Sequence, residues 1–314
     1  MYHALSGVLT IFCIGFLGFV LAKKGLLGPE MTRALPKFVT VVVLPPYLLH
    51  NTTANFEREQ LLQLMYGAVI PILSIGLTYA LACLLARLLR VRAGRRGIFR
   101  TAFASSSALN IGLPINIALF GEASLPYVLL YFFGNGIFFW TVGNYSIAHD
   151  GESASVKLFS LTTLKQICSP PLLGFLAGVA LVLLGLHLPS FLDKTFKYVG
   201  DMAIALSIMY VGIMLQGIKL GEYKLERDFW VVMLGRFVIS PLTVLALCSL
   251  ISVPPMMRNV FIIQSSLPVM MNLAILSGYY KADARFGTML TSFSSVISLF
   301  TIPLYMLLLL RFLK

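Results

Sequence analysis

The strongest constraint in this sequence is a succession of apolar runs, each about 20 residues long, that charged residues, glycines and prolines separate. A helix needs about 20 apolar residues to cross the hydrocarbon core of a bilayer. Of the 314 residues, 58% are apolar and 11% are charged, whereas soluble domains carry about 45–50% and about 25%. This composition excludes a soluble enzyme, a disordered chain and a disulfide-rich secreted module. We predict an all-α integral membrane protein with ten transmembrane helices, over residues 4–22, 34–54, 61–86, 98–120, 125–147, 165–186, 196–218, 229–251, 258–279 and 286–311.

Two proline pairs fall inside these runs. Pro45-Pro46 interrupts span two, and Pro170-Pro171 lies in span six. Because proline lacks an N–H donor and its ring clashes with the preceding turn, the pairs predict kinks in both spans.

Lysine and arginine are distributed unevenly between the connections. The formal net charge is +12. Seventeen of the 24 basic residues follow spans one, three, five, seven and nine, six lie on the other side, and Arg236 lies within span eight. Since cytoplasmic loops are enriched in these residues, we predict a multi-pass protein of the cell (inner) membrane with both termini on the non-cytoplasmic side. The same rule accounts for the basic charge without a nucleic-acid partner.

The ten spans divide into two halves of five. Residues 1–150 carry helices 1–5, and residues 151–314 carry helices 6–10. An odd number of spans per half gives the halves opposite orientations, which is the inverted repeat of many secondary transporters. No obvious sequence identity joins the halves, so this repeat is inferred from topology.

Spans four and nine are unusually polar and contain helix-breaking residues. Residues 104–116 read ASSSALNIGLPIN, and residues 264–272 read QSSLPVMMN. Each segment has a helix-breaking proline, Pro114 or Pro268, with an asparagine four residues away and a serine cluster before it. Paired interrupted spans in corresponding positions of two halves are the best sequence pointer to a transporter site.

The chemistry of the two breaks suits an anion. A helix that begins inside the membrane directs N–H groups and a partial positive charge at its ligand. Asparagine and serine add neutral donors, so a carboxylate can be held without a buried arginine. The candidate substrate-binding residues are Ser107, Asn110, Gly112, Pro114, Ser266, Pro268 and Asn272.

Structural interpretations of these and other polar residues stay open. Prolines can form plain kinks, and serine or asparagine can join neighbouring helices. Asn135 and Asn144 in span five fit packing between helices better than lining of a pathway. Arg236, near the cytoplasmic end of span eight, can snorkel to the surface, form a structural pair or attract substrate.

No motif indicates an enzyme. No Asp or Glu lies in the middle of a predicted span, and no phosphate-binding loop, H-E-x-x-H or G-x-S-x-G occurs. The four cysteines have no metal-site spacing. We therefore predict no catalysis, no metal and no cofactor.

Five short motifs occur one after another along the chain. They are Lys23-Lys24-Gly25-Leu26-Leu27, Pro45, Asn110 to Pro114 followed by Phe120-Gly121-Glu122, Pro268 to Asn272, and Ile302-Pro303. With these motifs in this order, the chain resembles the auxin efflux carrier family of membrane transporters, which includes bacterial permeases and plant PIN-type carriers. One departure is Ser107, where many members carry an asparagine.

The resemblance implies two inverted five-helix repeats whose broken helices 4 and 9 cross near the midplane. It implies a scaffold from helices 1, 2, 6 and 7 and a transport domain from helices 3–5 and 8–10. It also implies carboxylate substrates, such as malate, malonate or auxin-like acids, and the homodimer of the plant branch. The short connection at 148–164 favours a compact bacterial-type permease.

Residues and resemblance together predict a secondary transporter of small organic anions that works by alternating access. Its partners are the substrate anion and the lipid bilayer. Two alternatives remain, an anion channel-like pore and a membrane sensor that transports nothing.

Overall fold

The computed structural model describes residues 2–59, 65–151, 158, 165, 167–216 and 223–312. Lys157, Lys219 and Lys314 contribute to the predicted orientation and lie outside the described residues. The regular secondary structure of the described part is helical, which confirms the all-α fold class.

The first half of the chain forms helices that follow the predicted spans. Their bounds are α1 Tyr2–Lys23, α2 Pro29–Phe38, α3 Leu44–Asn55, α4 Val69–Leu88, α5 Arg96–Ala104, α6 Gly112–Phe120, α7 Leu125–Phe138 and α8 Asn144–Ala148. The π-helical segments Val39–Val43 and Phe139–Gly143 join α2 to α3 and α7 to α8. The 3-10 segments Met65–Ala68 and Glu122–Ser124 precede α4 and α7.

The second half forms a similar series. Its bounds are α9 Pro170–Leu184, α10 Ser190–Gly200, α11 Met202–Gln216, α12 Arg227–Leu234, α13 Ser240–Leu250, α14 Pro255–Ser265, α15 Asn272–Tyr279 and α16 Ala284–Phe312. A third π-helical segment, Gly235–Ile239, joins α12 to α13.

Five helical runs in the described residues are long and apolar enough to cross a bilayer. They are Tyr66–Leu88, Glu122–Ala148, Ser190–Gln216, Arg227–Leu250 and Ala284–Leu309. These runs support a multi-pass membrane protein. Among the other five predicted spans, span one coincides with α1, of which Leu9–Lys23 forms a shorter apolar helix, and spans two, four, six and nine coincide with shorter or interrupted helices. The count of ten crossings and the inverted repeat therefore stay predictions.

The proline pairs begin helices in the structure. Pro170 and Pro171 form the first turn of α9, where the missing N–H would have no intrahelical partner, so the predicted kink in span six is wrong. Pro45 and Pro46 occupy the first turn of α3, directly after the π-helical segment Val39–Val43. The wider π turn lets the chain stay helical up to the pair.

Glycines allow close helix packing in the first of two compact units, which comprises residues 1–66, 113–126 and 168–218. Gly212 of α11 packs against the Gly15 backbone of α1. Gly174 and Gly178, four residues apart on α9, pack against Pro45 and Thr52 of α3. Small residues at this spacing are the usual device for close helix contact in membranes.

The second unit comprises residues 67–112, 127–167 and 219–314 and has an aromatic core. Phe99, Phe103, Phe139 and Phe229 are all fully buried in it. Phe229 and Phe293 pack edge to face with ring centroids 5.5 Å apart, a favoured aromatic geometry. Each unit draws on both halves of the sequence.

We expect Gly212→Ala to destabilise the first unit. The added methyl would lie 3.0 Å from the Phe19 amide nitrogen and closer still to the Gly15 carbonyl, and neither backbone group can rotate away. Overpacking of this kind costs about 1–3 kcal/mol, or roughly 2–5 °C in melting temperature. The measurement is thermal unfolding of the purified protein followed by far-ultraviolet circular dichroism, which reports on the helices of both units.

The matched control is Gly76→Ala in α4, where a methyl group meets nothing within 4 Å. Alanine is the better helix former, so this variant should melt at or above the wild-type temperature. Equal melting of the two variants would contradict the packing argument.

Candidate functional site

The first break separates α5 from α6. Helix α5 ends at Ala104, Ser105 has extended backbone angles, and α6 begins at Gly112. Span four is therefore interrupted, as the sequence predicts. Pro114 lies in the first turn of α6, where it cannot donate a helical hydrogen bond back to Asn110. The proline thus fixes where α6 begins, and the non-helical stretch precedes it.

The second break separates α14 from α15. Helix α14 ends at Ser265 and α15 begins at Asn272. Pro268 lies within the break itself, in non-helical backbone. Span nine is also interrupted, and here the proline occupies the interruption.

The two breaks pair with each other through their backbones. Ser106 and Val269 form an isolated antiparallel bridge. The Ser107 N–H donates to the Pro268 carbonyl over 2.9 Å. These residues all belong to the second unit, so the pairing joins the two interrupted spans at one place in that unit.

Side chains from the span after each break complete the backbone hydrogen bonding. The Asn135 amide of α7 accepts from the Ser106 N–H over 3.0 Å and donates to the Ser106 carbonyl over 2.9 Å. The Ser294 hydroxyl of α16 accepts from the Val269 N–H over 3.0 Å. Unpaired backbone groups are not tolerated in hydrocarbon, so these contacts permit extended chain at this depth. They confirm the packing interpretation of Asn135.

The asparagines chosen from the sequence are placed differently from Asn135. Asn110 lies in the turn that follows the bridge residue Ser106, and Asn272 is the first residue of α15. Both are half-buried, and neither side chain makes a hydrogen bond to another described residue. Their amides are thus available to an incoming group.

The serines and the glycine of the prediction are more enclosed. Ser107 and Ser266 are both buried, and the Ser266 hydroxyl donates to the Ile263 carbonyl over 2.9 Å. Its proton is therefore committed to its own helix. Gly112 lies against Gln264 and Leu267 so closely that any side chain at this position would collide with them.

The buried residue Gln264 has a role that sequence reasoning missed. Its side-chain nitrogen donates to the Ala108 carbonyl over 3.2 Å, which ties α14 to the first break. Its side-chain oxygen and the hydroxyls of Ser106 and Tyr131 are buried without a hydrogen-bond partner in the described part of the chain. A buried polar group without a partner is costly, so this region retains capacity for further hydrogen bonds.

Arg236 is fully buried, with 0% exposure, so the predicted snorkelling to the membrane surface is wrong. A structural pairing accounts for it instead, since its guanidinium donates to the Ser240 hydroxyl over 2.7 Å. Within the described residues, no group of three His, Cys, Asp or Glu side chains could hold a metal ion.

A separate charged cavity of about 450 Å³ lies in the second unit, lined mostly by residues of the connections between predicted spans. Arg95 lines it and pairs with Glu226 over 2.6 Å and with Asp283 over 2.7 Å. Burial lowers the pKa of Arg95, but hydrogen bonds and charges from the two carboxylates outweigh burial and raise the pKa above its ordinary value. Arg95 is thus paired with both carboxylates, and the two ion pairs join three of the connections between predicted spans.

Comparison with known proteins relates this chain to membrane transporters. A family described as membrane transport protein matches residues 3–306. An uncharacterized transporter of Methanocaldococcus jannaschii is 23% identical over 307 residues, which cover 95% of this chain and 96% of the relative. An uncharacterized transporter of Methanothermobacter thermautotrophicus is 24% identical over 303 residues, with the same coverage of 95% and 96%.

We expect Asn135→Ala to destabilise the protein far more than Asn110→Ala. The first substitution leaves the buried N–H of Ser106 unpaired, at about 1–3 kcal/mol, whereas the Ser106 carbonyl still accepts from the Ala108 N–H. The second removes a side chain that has no hydrogen bond to another described residue. The measurement is the melting temperature of both purified variants, and a similar loss in both would contradict the distinction between structural and available amides.

Proposed function

The chain belongs to the membrane transport protein family, which includes the auxin efflux carriers, and from this premise we propose that it is a secondary carrier of small organic anions. Its substrates are carboxylates such as malate, malonate or auxin-like acids, and it works by alternating access. The observation that carries this proposal is the paired helix break, which leaves the amides of Asn110 and Asn272 without a hydrogen bond to another described residue.

The electrostatics of the breaks support an anion. Asn110 and Asn272 present neutral donors, and Asn272 opens α15, whose first turn no side chain caps. The amino end of a helix carries about half a positive charge, which favours a carboxylate. The residues that flank the two breaks, 104–116 and 264–272, include no Asp or Glu that would repel one.

We propose for these residues the assignment made in the sequence analysis. Asn110 and Asn272 donate to the substrate carboxylate, and Ser107 lies with Asn110 in the first break. Gly112 and Pro268 shape the backbone, and Pro114 fixes the start of α6. Ser266 lines the second break, where its oxygen can accept a hydrogen bond while its hydroxyl donates to the Ile263 carbonyl.

The two compact units support a division of labour between scaffold and transport domain. The first unit contains the described helices of spans one, two, six and seven, and the second contains both helix breaks. Residues 113–126, after the first break, pack with the first unit. We propose that ten spans form two inverted repeats in the cell (inner) membrane, with both termini on the non-cytoplasmic side, and that the carrier is a homodimer.

We expect Asn110→Ala and Asn272→Ala to lower carboxylate uptake about 10–100-fold, because each removes a hydrogen bond to a charged group worth about 1.5–3 kcal/mol. The measurement is uptake of radiolabelled malate, malonate and indole-3-acetate into proteoliposomes, with empty liposomes as background. Asn55→Ala is the control, since Asn55 is exposed and bonds to Asn51 on its own helix. Wild-type rates in both site variants would refute the assignment.

A carrier and a channel-like pore differ in counterflow. Proteoliposomes loaded with unlabelled substrate should accumulate labelled substrate transiently above its equilibrium level, because one reorienting site exchanges the two pools. The initial rate should also saturate with substrate concentration. A flux that neither saturates nor overshoots would contradict the carrier and favour the anion channel-like pore.

A further inference from the structure

Arg236 is a fixed positive charge in the interior of the second unit. It lies on the π-helical segment Gly235–Ile239, in the middle of the long apolar run Arg227–Leu250. Its side chain is fully buried, and it is the largest side chain buried to this degree among the described residues. An intramembrane ion is costly, so its partners require an explanation.

Its partners are the carboxyl ends of the two half-helices that lead into the breaks. One terminal nitrogen donates to the carbonyl of Phe103, the penultimate residue of α5, over 3.4 Å. The other donates to the carbonyl of Ser265, the last residue of α14, and to the Ser240 hydroxyl. The last carbonyls of a helix lack intrahelical partners, so the guanidinium caps both helices at once.

No carboxylate of the described residues pairs with Arg236. The opposing charge comes from the helices themselves. Each helix carboxyl end carries about half a negative charge, so the two ends together balance about one positive charge. The fit between one guanidinium and two half-helix ends is therefore electrostatic as well as geometric.

In carriers with broken helices, half-helix carboxyl ends and unwound carbonyls are the groups that coordinate a coupling cation. We propose that Arg236 occupies the place of that cation and serves as a permanent one, so that the protein needs no sodium ion to hold its breaks together or to transport. Arg236 is thus a positioning residue that acts on the two helix ends. This inference concerns the breaks and not the substrate, so it is tested independently of the proposed function.

The test removes the built-in cation and offers a free one. Arg236→Ala should lower the melting temperature by about 5–10 °C, because it leaves buried carbonyls unpaired. Millimolar guanidinium chloride should restore much of this loss, since a ligand that binds the native state stabilises it. Urea, which has the same shape without the charge, should not. Melting is followed by the fluorescence of Trp140 and Trp230 at constant ionic strength.

The control variant is Arg285→Ala, because Arg285 is exposed and packs over the Tyr223 ring. Guanidinium should leave its melting temperature unchanged. Rescue of Arg236→Ala by urea as well as by guanidinium, or a melting temperature equal to that of the wild type, would overturn the proposal.

Two measurements keep the proposal testable if Arg236→Ala does not fold. Arg236→Lys retains the charge and should remain folded, whereas Arg236→Met retains the length without the charge and should not. The wild-type protein should melt at the same temperature in sodium and in choline chloride. Stabilisation by sodium, or equal folding of the lysine and methionine variants, would overturn the proposal whether or not carboxylates are transported.

Discussion

A backbone group that leaves a helix inside hydrocarbon must find another partner, and the site depends on how the chain meets this requirement. At the first break Asn135 satisfies both backbone groups of Ser106, and at the second Ser294 satisfies the N–H of Val269. The bridge between Ser106 and Val269 then serves both segments at once. Each break is therefore stable only because the other break and the following span are in place.

The same requirement explains the region around Arg236. Pro241 cannot donate to the Phe237 carbonyl, and the Tyr305 hydroxyl donates to it instead over 2.6 Å. The π turn before Pro241 includes Gly235, which lies against the Phe103 ring so closely that a side chain there would collide with it. This approach brings Arg236 within reach of the end of α5. A proline, a glycine and a π turn thus place one charge between two helix ends.

Sequence reasoning predicted the helical class and both interruptions, because apolar length and proline position are local properties of the chain. It misjudged Pro170-Pro171 because the start of a helix depends on where the preceding turn ends. It also allowed Arg236 to snorkel, since only tertiary packing decides whether a long side chain reaches the surface. Asn135 and Asn110 look alike in sequence, and only their neighbours distinguish a structural amide from an available one.

The balance of charge at the breaks bears on selectivity. If the two helix ends neutralise Arg236, little of its positive field remains for the substrate. The substrate charge must then be met by directed donors, the amides of Asn110 and Asn272 and the uncapped start of α15. A site that binds through directed hydrogen bonds rejects analogues lacking the matching groups more strongly than one that relies on net charge. The position of carboxylate oxygens, more than the total charge of the anion, would then decide which acids the carrier accepts.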